Sequence, residues 1–181
     1  MKNVSFKNEV NKIADGKGNY SQMIMATKQS PYWMTQLGYK KYPIFIGSGH
    51  IASALNINGN NRNKHQIDIA TLIALPKLLK KPIFVCKSYL NRIEIYLNAA
   101  DNNGKIIIVC LQPETSNKIF NSYVISKLHY ISSIYGKDHS LSIVNNSIKT
   151  NGMLYPFNKT KNDIIKEIIN IQRLSNNISK Q

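Results

Sequence analysis

The chain has 181 residues and carries 24 Lys and Arg against 9 Asp and Glu, a formal charge of +15. That length allows one domain with a real core, expected over 1–181, and no apolar run approaches the roughly 18 residues that a membrane-spanning helix needs. The start, MKNVSFKNEV, lacks the apolar stretch of a secretory signal, so action in the cytoplasm of a producing or a target cell is expected. A field of this sign attracts polyanions, of which nucleic acid is the commonest. The positive side is almost all Lys, with Arg only at Arg62, Arg92 and Arg173. Lys suits phosphate contacts and Arg suits base edges, so the charge points to backbone binding without strong sequence readout. The plainer source is AT-rich coding, which fills a chain with Asn, Lys and Ile.

Residues 4–14 place Val4, Phe6, Val10 and Ile13 at helical spacings, and DGKGN (15–19) breaks the pattern. QMIMAT (22–27) and PIFIG (43–47) are short apolar strand candidates. Between them Ser30-Pro31 reads as an N-cap, opening a helix that turns Trp33, Met34 and Leu37 inward and ends at Gly38. After His50 and the short helical patch IASAL, residues 56–64 form a polar loop. Residues 65–81 are helical in pattern, divided at Pro76.

The periodicity then changes. Residues 82–88, 92–98 and 105–112 are β-branched and apolar, with a hairpin turn at 99–104. Arg92, Glu94 and Tyr96 alternate with Ile93, Ile95 and Leu97, the signature of an antiparallel strand with one wet face. The run 121–136 supplies a fourth strand from about Leu128. Residues 137–149 read as helix, 153–157 as extended chain and 159–174 as an amphipathic helix. The expected fold is therefore α+β: N-terminal helices, a central antiparallel meander of about four strands, and a C-terminal helix. Cys86 and Cys110 sit in apolar strands and read as buried free thiols. The chain has no CxxC, HExxH, GxGxxG or GxxxxGK[ST], so neither a zinc site nor a nucleotide cofactor is expected.

The segments SPYWMTQLG (30–38), KHQIDIATLIALPKLLKKPIFVCKS (64–88), DNNGKIIIVCL (101–111), ISSIYGKD (131–138) and GMLYPFNKTK (152–161) form an ordered series over nearly the whole chain. In that series the chain resembles the carboxy-terminal domain of MuF-type phage head proteins. That family is grouped with the nuclease-like fold of barnase, EndoU, colicin D and RelE toxins. The resemblance implies a metal-independent RNase used as a toxin, with RNA as substrate and no cofactor. Such domains usually end a long phage protein, so a free-standing toxin or an excised domain is expected here.

Metal-free RNA cleavage needs a base for the 2′-hydroxyl, an acid for the leaving 5′-oxygen and a cation beside the phosphorane. The chain has four His: His50, His65, His129 and His139. His65 follows a basic loop, precedes an apolar helix and falls at the KH position of the family-like segment, so it is the candidate base or acid; otherwise it caps a helix. His129, at the fourth strand, is a second candidate or else a satisfied polar residue. His50, with glycines before it, could line a cleft or be a plain loop residue, and His139 reads as a solvated helix-start residue. Ser133 and Tyr135 share a strand face with Ile131, opposite Ser132 and Ile134, and could position a phosphate and a base; the plain alternative is a packed Tyr. Lys87, at a strand end, is the candidate phosphate cation or one more surface lysine. Arg92 and Glu94 read as a base and phosphate clamp or, more simply, as an exposed ion pair. Two rival readings use the same charge: a non-catalytic nucleic-acid-binding phage domain, and a domain that binds an acidic antitoxin or immunity protein.

Overall fold

The computed structural model describes residues 5–57, 66–116, 118–120, 123–150 and 152–178. Along the chain run α1 (Phe6–Ala14), β1 (Met23–Thr27), α2 (Tyr32–Gln36), β2 (Ile44–Gly47), α3 (Ser48–Leu55), α4 (Ile69–Ile73) and α5 (Leu75–Leu78). Then come β3 (Phe84–Lys87), β4 (Ile93–Ala100), β5 (Ile106–Thr115), β6 (Lys118–Phe120), β7 (Tyr123–Ile125) and β8 (Leu128–Lys137). The chain closes with α6 (Ser140–Lys149), β9 (Met153–Tyr155) and α7 (Lys161–Ile178).

The main sheet has seven strands in the order β1-β2-β8-β5-β4-β3-β9, and β6 pairs with β7 separately. The expected sheet of about four antiparallel strands is thus overturned: the sheet is larger and mixed. Strands β3, β4, β5 and β8 pair antiparallel in sequence. Beyond them β2 pairs parallel with β8, β1 pairs antiparallel with β2, and β9 adds to the other edge beside β3. Helices therefore do not all precede the sheet; β1 and β2 are interleaved with them. All four residues of IFIG in β2 are buried, as suits a short strand covered on both faces.

Helices cover the two faces unequally. On one face α1 to α5 bury Val10, Ile13, Trp33, Met34, Ile51 and Leu72 against Ile46, Ile95, Val109 and Ile131 of the sheet. The Trp33 indole N–H donates to the Leu79 carbonyl at 2.8 Å, satisfying the one polar atom that this side chain brings into the core. On the other face α6 and α7 bring Val144, Ile164 and Ile168 onto Phe84, Tyr96, Ile106 and Ile108. Helix starts follow local chemistry. Ser5 Oγ accepts the Asn8 N–H, Asp68 accepts the Thr71 N–H, and Thr160 and Asp163 cap one another reciprocally before α7. Pro76 falls in the first turn of α5, which is where the 65–81 pattern divides.

The β4–β5 hairpin turns on Asp101, which is only 1% exposed. Its Oδ1 accepts the N–H groups of Asn103 and Lys105, both at 2.9 Å, and Gly104 takes a φ of +74° that a side chain would resist. On β8 a Cβ at Gly136 would stand 2.0 Å from Asp101 Oδ2, so only glycine admits this buried carboxylate. Asp101→Ala leaves two backbone donors unpaired in a buried turn. It should cost about 2–3 kcal/mol, read as a fall of roughly 5–10 °C in Tm by calorimetry.

Candidate functional site on the central sheet

Strand register decides which polar side chains meet. Cys86, Glu94, Cys110 and Ser133 are successive partners across β3, β4, β5 and β8 and form one row. Phe84, Tyr96, Ile108 and Tyr135 form the next row toward α6 and α7. The pairing shifts between Cys110–Ser133 and Leu111–Ile131, so Ser132 is an extra residue in β8, and its hydroxyl donates to the Cys110 carbonyl at 3.2 Å. This bulge corrects the simple alternation. Ile131 and Ile134 both enter the core under α1 to α5, opposite Ser133 and Tyr135. Tyr130, before the bulge, comes into phase with Ser133 and Tyr135.

Around this face a polar cluster gathers on Glu94. Its carboxylate accepts from the Tyr96 hydroxyl at 3.2 Å and the Ser88 hydroxyl at 3.4 Å, and pairs with the Lys137 ammonium at 3.3 Å. The two charged side chains keep 13% and 21% exposure, so water still reaches them. Burial works to lower the Lys137 pKa, but Glu94 and Tyr135 outweigh it and hold the ammonium above its ordinary value. Lys137 lies 5.7 Å from the centre of the Tyr135 ring. Burial, with Cys110 beside it, pushes the Tyr135 phenol up, so it stays protonated at neutral pH. Burial pushes the Cys86 thiol up to about 11, which leaves it an inert core group. Tyr96 is buried beneath α6 and α7, so the wet face expected for β4 is wet only as far as Glu94.

At the other margin of the same face, His50 in the first turn of α3 meets Tyr130, with Nε2 and Oη 3.0 Å apart. Gly47 makes the approach possible: a Cβ there would lie 3.3 Å from His50 Cδ2 and 3.4 Å from Tyr130 Oη. Burial lowers the His50 pKa, so the ring is neutral at pH 7. Gly47 stands one residue beyond the Ile46–Ile131 pair, level with the bulge. From β2 to β4 is three strand spacings, about 14 Å. Along β8 the face thus carries Tyr130, met by His50, then Ser133, Tyr135 and Lys137, with Glu94 two strands away on β4.

The residues singled out in the sequence are distributed as follows. Ser133 and Tyr135 lie on this face. Lys87 does not: it pairs with Ile93, whose side chain enters the opposite core, whereas its neighbour Cys86 pairs with Glu94. Arg92 does not pair with Glu94; Lys137 takes that place. His65 lies outside the described residues. His139 takes a left-handed φ of 55° as the N-cap residue of α6, where its side chain makes no capping hydrogen bond. Lys137 and Tyr130 are additions that sequence reasoning missed, and His50, read there as a loop residue that could line a cleft, stands in α3. For Lys137 the signal was present, since Ser133, Tyr135 and Lys137 follow one another at a period of two.

His129 is a core residue, fully buried on β8. Its Nδ1 accepts the Glu114 N–H at 3.0 Å, so Nε2 carries the proton; the Lys40 carbonyl and Ser30 Oγ both lie 3.0 Å from it. Ser30 is therefore no N-cap; its hydroxyl sits 2.9 Å from the Lys40 and Tyr42 carbonyls and helps to hold that loop. Burial lowers the His129 pKa, against smaller opposing effects of the Lys40 carbonyl and Glu114. A folded pKa below the ordinary value of about 6.5 means that the unfolded chain binds the extra proton. Stability from this group is full above about pH 6.5 and falls as pH drops through the folded value. His129→Ala should cost roughly 2–4 kcal/mol at pH 7 and flatten the acid side of a plot of Tm against pH.

Among the described residues no helix is long and apolar enough to cross a membrane, and no three His, Cys, Asp or Glu side chains converge as metal ligands would. No curated protein and no solved structure matches the chain. The model of the phage MuF C-terminal domain family matches residues 56–164, which take in the β3 to β8 strands, Glu94, Ser133, Tyr135 and Lys137. With more than half of its length so matched, the chain belongs to the phage MuF C-terminal domain family.

Proposed function

We propose that this domain is a metal-independent ribonuclease whose chemistry runs on the sheet face between His50 and Lys137. The observation that carries the reading is the grouping, on one partly wetted face, of a neutral imidazole, a cation and protonated hydroxyls. Those are the groups that 2′-hydroxyl attack requires. His50 takes the 2′-hydroxyl proton as the O2′–P bond forms. Lys137 and the Ser133 hydroxyl stabilise the charge on the phosphorane. Tyr135 gives its proton to the 5′-oxygen as the P–O5′ bond breaks, leaving a 2′,3′-cyclic phosphate and a free 5′-hydroxyl. Glu94, tied by three partners, positions Lys137 and leaves proton transfer to other groups. The charge of +15 supports a polyanionic substrate, and the toxin role is what the resemblance to barnase- and RelE-like toxins implies. An acidic antitoxin or immunity protein would find the same basic surface.

The reading is tested by incubating the protein with total tRNA and rRNA in EDTA. Cleavage to cyclic-phosphate ends is expected. His50→Gln should lower the rate by about 10²–10⁴ with an unchanged melt, and Lys137→Met by about 10²–10³ with a lowered Tm, because Glu94 loses its counter-charge. Because His50 acts as a base with a lowered pKa, the rate should hold near pH 6.5 and fall only at lower pH. A band shift without cleavage would favour the non-catalytic binder. Full activity in His50→Gln with loss of activity in His65→Ala would move the base to His65.

A further inference from the structure

The side chains that the register removes from the sheet-face cluster assemble somewhere else. At the end of the sheet where β3 turns into β4, Tyr39, Lys87, Asn91, Arg92, Pro113 and Glu114 line a cleft of about 430 Å³. Lys87 and Arg92 make no ion pair among the described residues. The acid in the cleft is already engaged, since Glu114 Oε1 accepts the Lys40 backbone N–H at 2.9 Å. Burial and then Glu114 raise the Tyr39 pKa, which leaves a phenol able to donate.

The turn above this cleft is strained. Leu90 and Asn91 both take left-handed backbone, with φ of 55° and 57°. Such a two-residue turn normally selects Asn-Gly, and a leucine there costs on the order of 1–2 kcal/mol. The turn closes regardless, with Ser88 N–H donating to the Arg92 carbonyl at 2.8 Å. It holds Tyr89 81% exposed and Leu90 66% exposed at the tip. An aromatic ring in water, flanked within three residues on either side by Lys87 and Arg92, is a pattern suited to a single nucleic-acid strand. The cations take phosphates and the ring takes a base of any kind.

We propose that this cleft and its Tyr89 tip bind single-stranded RNA beside the reacting nucleotides, with Lys87 and Arg92 on the phosphates and Tyr89 stacked on a base. The proposal rests on the RNA reading above, but on its binding part only. The two sites are neighbours: Ser88 also lines the cleft, and its hydroxyl reaches Glu94 of the sheet-face cluster. A strand lying on both would pass the rim of the sheet at the β3–β4 turn. A duplex cannot do the same, because its bases are already stacked on one another.

The test is fluorescence anisotropy with a single-stranded 2′-O-methyl oligonucleotide of about ten residues, which binds but lacks the attacking hydroxyl. The double variant Lys87→Gln/Arg92→Gln should weaken binding at least tenfold at low salt. It should also make the slope of log K against log salt shallower by about 1.4, the value for two phosphate contacts on a single strand. Tyr89→Ala should weaken binding about 5- to 100-fold without changing that slope. Lys12→Gln/Lys149→Gln removes the same charge elsewhere and should do neither. The proposal is overturned if the two double variants behave alike, if Tyr89→Ala binds as the parent does, or if a duplex of the same sequence binds as tightly. Loss of cleavage with these binding results intact would remove the nuclease reading alone. Cleavage with unaltered binding in Lys87→Gln/Arg92→Gln would remove this proposal alone. No oligonucleotide binding at all would remove both.

Discussion

The ladder between β5 and β8 is the constraint on which the rest of the molecule depends. These are the two ten-residue strands, and they sit at the centre of the sheet. Every other strand of this sheet takes its place by pairing outward from them. The single extra residue at Ser132 sets the phase of each half of β8. Before it, Tyr130 faces the side of α6 and α7, and Ile131 faces α1 to α5; after it, Ser133 and Tyr135 rejoin Tyr130, and Ile134 rejoins Ile131. A β-bulge commonly re-aims side chains beside a functional site. Here it satisfies two demands together: two isoleucines for one core and three hydroxyl-bearing side chains for one face. The Ser132 hydroxyl on the Cys110 carbonyl gives the displaced residue a partner, which keeps the irregularity cheap.

The local part of this arrangement was legible in the sequence. The alternation of Ile93, Ile95 and Leu97 against Glu94 and Tyr96 gives the two faces of β4, and DNNG gives its turn. What the sequence did not disclose is long-range. The residues of β2 pair with a strand more than eighty positions away, and nothing in IFIG specifies a parallel neighbour. The three residues of β9 are similarly too few to announce an edge. The bulge is invisible because Ser132 and Ser133 are chemically alike, so strict alternation put Ile131 on the wrong face. Ser30-Pro31 misled for a related reason: a serine before a proline has the chemistry of a cap, but tertiary contacts with the 40–42 loop and His129 claimed its hydroxyl. His129 shows the opposite case. Its burial in the core fits the plainer of its two readings, because a buried imidazole with both nitrogens engaged has no lone pair or proton left for substrate.

The electrostatics divide into two kinds. On the sheet face, charge is compensated and held: Lys137 against Glu94, with phenols kept neutral by burial. Such groups cost little to reorganise when a transition state places new charge beside them. At the β3–β4 turn, Lys87 and Arg92 make no ion pair among the described residues, as suits attraction of a polyanion. The prevalence of Lys over Arg agrees with contacts to backbone phosphates, and it leaves sequence preference to the stacking of bases.

The central claim is that RNA reacts on the face between His50 and Lys137. Its most direct test is a map of backbone amide chemical shifts as the protein is titrated with a 2′-O-methyl dinucleotide, too short to span the neighbouring cleft. The account predicts shifts concentrated at Gly47, His50, Tyr130 and Ser133 to Lys137, together with Glu94. Shifts confined to other surfaces, with these residues unmoved at saturation, would contradict it.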